Sequence, residues 1–436
     1  MARTDDTIFA LSSAHGRAGV AVVRVSGKLA GQVLSELAQG SVPPRRAVVR
    51  DLKAGDGEVL DQALVLWFPA PASFTGEDVA EFHVHGGRAI IARLLQELAG
   101  RTGLRPAEAG EFTRRAVEHG KFDLTRAEAL ADLIDAETEG QRRLALRQYD
   151  GSLFELYERW RAGLIKAAAW AEAAIDFSDE EIPEDLLGQA RAAGQAILGE
   201  IAAHLADAHR GELIREGVYL TLIGPPNSGK SSLLNALAKR DVAIVSDIAG
   251  TTRDVLEVKL DLGGYPVVVS DTAGLRSTTD PLEAEGVRRA EDRAQASDIT
   301  ILLLDGAAVN PEAELAGRSA TFVVWNKSDQ VWPVDHKGLK ISAKTGVGLP
   351  ELLALLAKKV QEALEIKSNS PLLTRARHRH ELEQAQASLS RALVAKEGEL
   401  MAEDFHQALR ALGRLTGRVD IEELLDVIFR DFCIGK

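Results

Sequence analysis

Hydrophobic positions along the chain follow three successive patterns, and each pattern predicts a different kind of domain. Over residues 1–119, short runs rich in β-branched residues alternate with turns that contain glycine. The runs Val20–Val25, Ala63–Phe68 and Val79–Val84 are predicted to be strands, and Arg88–Leu98 is predicted to be a helix. Short strands and a helix separated by turns are typical of a small α+β domain.

Residues 120–215 show hydrophobic positions at helical spacing instead. Two apolar stripes are predicted to face a core, one formed by Leu130, Leu133 and Ile134 and the other by Leu153, Leu156, Trp160 and Leu164. A third helix is predicted from Glu184 to Ile214. Three long helices that each bury one stripe predict a helical bundle.

After residue 215 the apolar runs become short and nearly continuous. VYLTLIG, PVVVSD, ITILLLD and TFVVWNK follow one another with helical stretches between them. Strands that are covered on both faces have this pattern, so residues 216–370 are predicted to form a parallel α/β domain. Beyond the polar break KSNSP the helical pattern resumes over 371–436. We therefore expect an α/β domain inserted into a helical domain that is built from both flanks.

Composition narrows the class of protein. The chain has 436 residues, which is enough for two or three domains, and 65 acidic against 52 basic residues give a net charge of −13. That balance argues against a generally basic protein that coats nucleic acid, although a local basic face is compatible with it. Cys433 is the single cysteine, so an intrachain disulfide is excluded. The N-terminus is a poor signal peptide and no apolar run is long enough to span a bilayer, so we expect a soluble cytoplasmic protein.

A candidate phosphate-binding loop, GPPNSGKS, spans residues 224–231, directly after a predicted strand and at the start of a predicted helix. Glycines let backbone N–H groups approach phosphates, and the helix N-terminus favours negative charge. Lys230 would add positive charge at the outer phosphates, and the Ser231 hydroxyl is suited to Mg²⁺. Taken alone, the loop could also be an ordinary turn between a strand and a helix.

Three further motifs follow in the order expected of a GTPase. Asp271-Thr272-Ala273-Gly274 ends one apolar run, and Asn326-Lys327-Ser328-Asp329 ends another. Ser342-Ala343-Lys344 resembles a second base-contacting loop. Asp329 favours guanine, because two acceptor oxygens match the N–H groups of guanine and leave adenine unsatisfied.

The residue after the first of these motifs is Leu275, where a Ras-like enzyme carries a glutamine that orients water. A leucine side chain has no polar atom for that task. Another group must position the water and neutralise the transition state, and the hydroxyl-rich segment 246–254 contains the candidates.

Several longer stretches accompany these motifs. They are DTIFALSS near the start, FTGEDVAEFHVHGG at 74–87, GEFTRRAVEHGKFDLTRAEAL at 110–130, IVSDIAGTTRD, DTAGLR and the terminal FCIGK. Together they resemble the MnmE (TrmE) family of tRNA-modification GTPases over essentially the full length. The resemblance implies an N-terminal α+β folate-binding domain (1–119), a discontinuous helical bundle (120–215 and 371–436) and an inserted Ras-like P-loop GTPase domain (216–370).

The resemblance implies a homodimer formed through the N-terminal domains, with 5-formyl-tetrahydrofolate or a related one-carbon tetrahydrofolate between them. The implied folate contacts are Arg24, Glu81, Lys121 and Lys436. Arg24 and Lys121 suit the folate carboxylates, and Glu81 suits the donor edge of a pterin ring. Without the family, Arg24 and Glu81 would be interpreted as surface charges. Cys433 matches a cysteine of functional importance in the family, but a small buried residue is an equal alternative.

The resemblance also implies the metal ligands and the catalytic groups. The implied K⁺ ligands are Asn227, Ser246, Ile248 and Thr251, the implied Mg²⁺ ligands are Ser231 and Thr252, and the implied catalytic residues are Glu283, Lys230 and Thr251. The remaining implied nucleotide contacts are Ser228, Gly229, Ser232, Asp271, Thr272, Ala273, Gly274, Asn326, Lys327, Asp329, Ser342, Ala343 and Lys344. On its own, Glu283 would be interpreted as a solvated helix residue.

Two positions depart from the family pattern. His15 lies where many relatives have a proline-rich turn, so the neighbouring loop of the first domain is predicted to differ from that of the family. Ser228 stands where relatives often carry alanine or valine, a mild change beside Asn227 and Lys230.

By the same resemblance, the protein works with the FAD-containing MnmG in a heterotetramer and modifies C5 of the wobble uridine in certain tRNAs. Hydrolysis of GTP would drive closure of the two GTPase domains. A regulatory GTPase that binds RNA or ribosomes without modifying them, and a scaffold for MnmG, remain as alternatives. The cluster Arg375–His380 is open to two interpretations, a phosphate-binding patch or a solvated helix face.

Overall fold

The computed structural model describes residues 6–14, 16–176, 185–244, 257–271, 297–308, 320–332, 336–364, 371–419, 425, 428–429, 432 and 434–435. Its contacts divide the chain into two compact units. One unit comprises Met1–Ala131, Tyr149–Ala162 and His406–Lys436, and the other comprises Asp132–Gln148 and Gly163–Phe405. None of the described helices is long and apolar enough to cross a membrane.

The first unit is built on a mixed sheet in which β1 and β6 are parallel and the other neighbours are antiparallel. Its strands are β1 (Thr7–Leu11), β2 (Ala18–Ser26), β3 (Val48–Lys53), β4 (Val59–Phe68), β5 (Val79–Gly86) and β6 (Leu104–Pro106), in the order β3-β4-β5-β2-β1-β6. Helices α1 (Ala30–Leu37) and α2 (Arg88–Ala99) cover one face of this sheet. The core between them includes Val23 and Phe82 of the sheet and Leu94 of α2. The predicted α+β character is confirmed.

Two further helices of this part of the chain are α3 (Glu111–Glu118) and α4 (Leu124–Ile134). The prediction for the buried face of α4 was wrong. Leu124 and Ala127 are fully buried, whereas Ile134 is 38% exposed and Leu130 and Leu133 are half-buried. The buried residues of α4 are Leu124, Thr125, Ala127, Glu128 and Ala129, so the stripe of Leu130, Leu133 and Ile134 is not the face that packs against the core.

The second unit contains a sheet in which all neighbours are parallel except β8 and β9. Its strands are β7 (Val218–Ile223), β8 (Glu257–Leu262), β9 (Tyr265–Asp271), β10 (Ile299–Asp305), β11 (Phe322–Asn326) and β12 (Leu339–Lys340), in the order β12-β11-β10-β7-β9-β8. The four apolar runs are confirmed as β7, β9, β10 and β11. The antiparallel edge strand β8 was missed, because the prediction for this domain used continuous apolar runs, whereas EVKLDL alternates polar and apolar residues as a strand with one exposed face does.

The remaining described helices are α5 (Glu139–Tyr149), α6 (Ser152–Asp176), α7 (Leu186–Ala206), α8 (Ala208–Glu216), α9 (Lys230–Ala238), α10 (Leu349–Leu364), α11 (Ala376–Val394) and α12 (Gly398–Thr416). Asp185 caps α7 by accepting the Gly188 N–H at 2.8 Å. The predicted helix from Glu184 to Ile214 is divided at Asp207 into α7 and α8. The predicted bundle packing is confirmed within the second unit, where α7 lies along α11.

An aspartate holds together the two places where the chain enters and leaves the parallel sheet region. Asp132 Oδ1 accepts hydrogen bonds from Arg215 Nε at 2.9 Å and from Arg375 Nη2 at 2.7 Å. Arg215 lies just before β7, and Arg375 lies just after the segment that follows α10. This arrangement suits an inserted domain, while the predicted boundaries at 119, 215 and 370 stay predictions.

Candidate functional site

The phosphate-binding loop connects β7 to α9 and has the backbone geometry that its glycines allow. Gly224 has φ 152° and Gly229 has φ 97°, both in the region that favours glycine. A Cβ atom at Gly224 would lie 2.2 Å from the Leu303 carbonyl oxygen, and one at Gly229 would lie 2.2 Å from Asn326 Nδ2. The loop therefore needs glycine at both positions for space as well as for conformation.

Lys230 begins α9 and is only 6% exposed. Its Nζ donates to the carbonyl oxygens of Gly224 and Pro225, at 2.9 Å each. The ammonium is thus held inside the loop by neutral acceptors. Phosphate oxygens are charged and form stronger hydrogen bonds with an ammonium group, so a nucleotide can take over these contacts.

The loop also presents oxygen atoms suited to cations. Asn227, with φ 64°, and Ser231, in the first turn of α9, are both exposed. An amide oxygen and a hydroxyl are the hard donors that Mg²⁺ and K⁺ accept. Ser228 differs, because its side chain is fully buried, and its hydroxyl has no hydrogen-bond partner in the part of the chain that the structure describes. The exposed side chains, and not Ser228, fit a cation.

Asn326 connects three of the predicted motifs. Its Nδ2 donates to the Ser228 carbonyl oxygen at 2.8 Å, and its Oδ1 accepts the Ala343 N–H at 3.0 Å. The phosphate loop, the segment 326–329 and the segment 342–344 are therefore brought together at the carboxyl ends of the parallel strands. Ligands of open α/β sheets bind at that edge.

Asp329 is prepared to act as a hydrogen-bond acceptor. The Ser342 hydroxyl donates to Asp329 Oδ1 at 2.6 Å and is the main reason that the pKa of this carboxyl lies below its ordinary value. The positive charges of Lys344 and Lys327 act in the same direction. An ionised carboxylate offers acceptors alone, which is what the N–H groups of guanine require.

Two residues that sequence reasoning missed restrain Lys327. Its Nζ lies 2.6 Å from Asp305 Oδ2, and its carbonyl oxygen accepts the Trp332 indole N–H at 2.9 Å. Asp305 is the last residue of β10, so its place at the end of an apolar run was a usable signal. Trp332 carried no such signal, because its partner is a backbone atom five residues away.

In the first unit, the structure brings Arg24 and Glu81 together. Arg24 Nη2 lies 2.9 Å from Glu81 Oε1, and His83 Nε2 lies 3.3 Å from Glu81 Oε2. The Arg24 guanidinium lies over the rings of Phe74 and Phe112, with 5.1 and 5.6 Å to their centroids. The guanidinium therefore makes cation–π contacts with the half-buried Phe74 and the fully buried Phe112.

Lys121 reaches the same loop from another side. Its Nζ donates to the Pro71 carbonyl oxygen at 3.0 Å, and a Cβ at Gly76 would lie 3.5 Å from Lys121 Cγ. The loop around Phe74 therefore contacts Arg24 through its phenylalanine and Lys121 through the Pro71 carbonyl oxygen.

The polar residues of the FTGED segment hold this loop in place. Thr75 Oγ1 lies 2.7 Å from Ser26 Oγ, and Asp78 Oδ1 accepts the Ala70 N–H at 2.8 Å. Glu77 accepts from Arg115 Nη1 at 3.1 Å, and that arginine is only 4% exposed. These three residues serve the fold, so the candidate ligand contacts near them are Arg24, Glu81 and Lys121.

Several predicted site residues lie outside the described residues. They are Ser246, Ile248, Thr251, Thr252, Thr272, Ala273, Gly274, Glu283 and Lys436, together with His15, Leu275 and Cys433. Asp271 ends β9 at the predicted edge. Ser232 and Lys344 are exposed beside the motifs that predicted them.

The Arg375–His380 cluster matches neither a phosphate-binding patch nor a solvated helix face in full. Arg375 pairs with Asp132, and Arg379 Nη1 donates to Glu212 Oε2 at 2.9 Å. His378 is 1% exposed, which excludes an evenly solvated face. Carboxylates already engage two of the arginines, and this weakens the case for a phosphate patch.

The geometry of the second unit defines a class of protein, a P-loop nucleotide hydrolase. Its segment 326–329, the base-reading motif, is built to recognise guanine. Comparison with known proteins agrees. The family model of the MnmE helical domain matches residues 124–433 of the sequence. The family model of the GTP-binding protein TrmE N-terminus matches residues 7–121.

Relatives that match over nearly the full length are tRNA modification GTPases. The tRNA modification GTPase MnmE of Rhodospirillum rubrum is 53% identical over 457 residues, which cover 99% of this chain and 100% of that protein. Those of Paramagnetospirillum magneticum and Parvibaculum lavamentivorans are each 54% identical, with the same coverage. The chain belongs to the MnmE family of tRNA-modification GTPases, and it is a GTP hydrolase.

Proposed function

We propose that this GTPase is stimulated by K⁺ and works with the FAD-containing MnmG to modify C5 of the wobble uridine in certain tRNAs. The product would carry an aminomethyl or carboxymethylaminomethyl group whose one-carbon unit comes from a tetrahydrofolate. The observation that supports the proposal is that each of the two units carries its own cluster of candidate ligand-binding residues. A guanine-nucleotide site in the second unit accompanies the Arg24–Glu81 cluster in the first. A GTPase that acts only as a switch has no use for the second site.

The nucleotide is bound by the chain's own groups at its two ends. Asp329 accepts the guanine N–H groups, and Lys230 moves from its carbonyl partners to the outer phosphate oxygens. Ser231 and Thr252 would hold Mg²⁺, which supplies charge neutralisation at the phosphates. Glu283 is proposed to position the attacking water, a task that Leu275 has no polar atom to perform, and Thr251 is the other proposed catalytic residue.

Asn227 is proposed to hold K⁺ with its side-chain oxygen, together with oxygens of Ser246, Ile248 and Thr251. Its exposed position in the phosphate loop supports this assignment. A monovalent cation there supplies the positive charge that an arginine finger gives other GTPases.

Replacing K⁺ with Na⁺ is expected to slow hydrolysis about a hundredfold, because a preorganised charge at the transition state is lost. Affinity for GTP should change little. Phosphate release in the two salts and titration with a fluorescent GTP analogue measure the hydrolysis rate and the GTP affinity separately.

Asn227→Ala should give the same low rate in both salts. Asn235 is an exposed asparagine on α9, and Asn235→Ala should keep the K⁺ dependence. Equal rates of the unaltered protein in the two salts would contradict the assignment.

The first unit is proposed to bind 5-formyl-tetrahydrofolate through Arg24, Glu81, Lys121 and Lys436. Arg24 and Lys121 match its carboxylates, and Glu81 matches the donor edge of the pterin. When bound, the folate supplies the one-carbon unit. The half-buried Phe74 beside Arg24 supports the proposal, because its ring provides a flat apolar surface on which a pterin can rest.

The same face of the sheet supports a homodimer. Val49 and Leu64 are opposite each other on β3 and β4 and are 58% and 37% exposed. Leu64 also pairs with His83, which contacts Glu81, so the apolar pair adjoins the candidate folate cluster. A second copy of the chain placed on this face would cover the apolar residues and enclose the folate. We further propose that the dimer joins MnmG in a heterotetramer and that GTP hydrolysis drives closure of its GTPase domains.

We propose the domain limits 1–119, 120–215, 216–370 and 371–436, with the third segment as the GTPase domain. The hydrogen bonds of Asp132 to Arg215 and Arg375 support the limits of the third segment, since both arginines lie within a few residues of its ends.

A further inference from the structure

We infer that Asp305 is a positioning residue for guanine binding, because its carboxylate holds the ammonium group of Lys327 within the base-reading motif. Lys327 lies between Asn326, which contacts the phosphate loop, and Asp329, which accepts from the base. The inference concerns the GTP site alone and depends neither on K⁺ nor on tRNA.

The carboxylate of Asp305 is itself fixed. Its Oδ1 accepts the Ala307 N–H at 3.0 Å, and its Oδ2 lies 2.6 Å from Lys327 Nζ. Asp305 is also paired with Asn326 across β10 and β11, and the Gly306 N–H donates to the Asn326 carbonyl oxygen at 3.0 Å. The acid is therefore attached to the strand that carries the base-reading motif, and it cannot move independently of it.

The backbone of Lys327 is restrained as well. Its φ is 66°, a left-handed conformation that is unfavourable for a lysine and persists where the surroundings hold it. The Lys327 carbonyl oxygen accepts from the Gln330 N–H and from the Trp332 indole N–H, at 2.9 Å each. The indole and the carboxylate thus hold the two ends of one residue.

Fixing this side chain before the ligand arrives has a measurable consequence. Ordering a lysine side chain when a ligand binds removes its rotamer entropy, which weakens binding by about two- to tenfold. The ion pair with Asp305 orders the Lys327 side chain when the protein folds, so nucleotide binding does not have to order it. The pair is more than a surface contact, because the two side chains are only 28% and 23% exposed.

The inference predicts a particular pattern of affinities for Asp305→Asn. GTP and GDP share the same base, so the dissociation constants of both should rise by the same factor, about two- to tenfold. Saturating kcat should change less than twofold, because Lys327 lies in the base-reading motif and not in the phosphate loop. The ratio of GTP to ITP affinity should stay constant, because the 2-amino group that ITP lacks is read by Asp329.

A matched control is available on the same strand. Asp298 precedes β10 at its opposite end and accepts the Tyr219 N–H at 2.9 Å. Asp298→Asn makes the same chemical change away from the motifs and should leave both dissociation constants unchanged. Asp305→Glu keeps the charge and should recover at least half of the lost binding free energy.

The decisive experiment is a double-mutant cycle measured by calorimetric titration with GDP, on the full chain. Lys327→Ala alone should weaken GDP binding, and Asp305→Asn should have no further effect in that background. An additional loss in the double variant, equal losses for Asp305→Asn and Asp298→Asn, or a fall in kcat without a change in affinity would each overturn the inference. Because the reference is the Lys327→Ala protein, general destabilisation by Asp305→Asn would appear as an additional loss and count against it.

Discussion

Replacing Lys230 with alanine is expected to lower GTP hydrolysis about a thousandfold, the largest effect of any single change in the described chain. The ammonium is the one cationic group in the described part of the phosphate loop, and it is proposed to contact the outer phosphates. It is already oriented by two carbonyl oxygens at 2.9 Å, so little rearrangement is needed when a nucleotide arrives. Alanine removes the charge and leaves those carbonyls facing the incoming phosphates.

The rate is best measured as single-turnover phosphate release at saturating GTP, which separates the chemical step from binding. Lys239→Ala is the matched control, since Lys239 is exposed at the other end of the same helix. Its rate should match that of the unaltered protein. A Lys230→Ala protein that is folded, as judged by its thermal unfolding, and keeps more than a tenth of the normal rate would show that the loop does not act as described.

The second large effect concerns the choice of base. Asp329→Asn should weaken GTP binding about a hundredfold or more, because a site built to accept from two N–H groups now presents an amide donor to one of them. Xanthine carries a carbonyl at that position, so XTP should bind the variant better than GTP does. The Ser342 hydroxyl can still donate to the amide oxygen, and this keeps the side chain in place.

Competition between GTP and XTP for a fluorescent nucleotide measures the exchange of preference. Asp261→Asn serves as the control, because that carboxylate accepts the Gly264 N–H in the turn between β8 and β9, away from the base. The control should prefer GTP. Retention of guanine preference by Asp329→Asn would remove Asp329 from its assigned role.

The parts of the fold that the sequence predicted well are those whose local pattern is independent of their neighbours. β7, β9, β10 and β11 are buried strands and appear as continuous apolar runs, and the motifs at their ends follow directly. β8 was missed because an edge strand has one exposed face. The break at Asp207 was missed because neither glycine nor proline marks it.

Tertiary partners decided the features that the sequence did not predict. The buried face of α4 depends on which side chains fit close packing, so Leu124 and Ala127 are buried and Ile134 is not. Asp305 becomes part of the site only because β10 lies beside β11 in the sheet. Thr75, Glu77 and Asp78 belong to a segment on which the family resemblance rests, yet their partners are atoms of the fold itself.

The most direct test of the proposed function is nucleoside analysis of tRNA from cells that lack the gene, with the unaltered protein or Lys230→Ala supplied on a plasmid. We predict that the modified wobble uridine disappears on deletion, returns with the unaltered protein and does not return with Lys230→Ala. Unchanged wobble uridines in the deletion strain would contradict the account and favour a regulatory GTPase that binds RNA or ribosomes without modifying them. Full restoration by Lys230→Ala would contradict the claim that GTP hydrolysis drives the reaction.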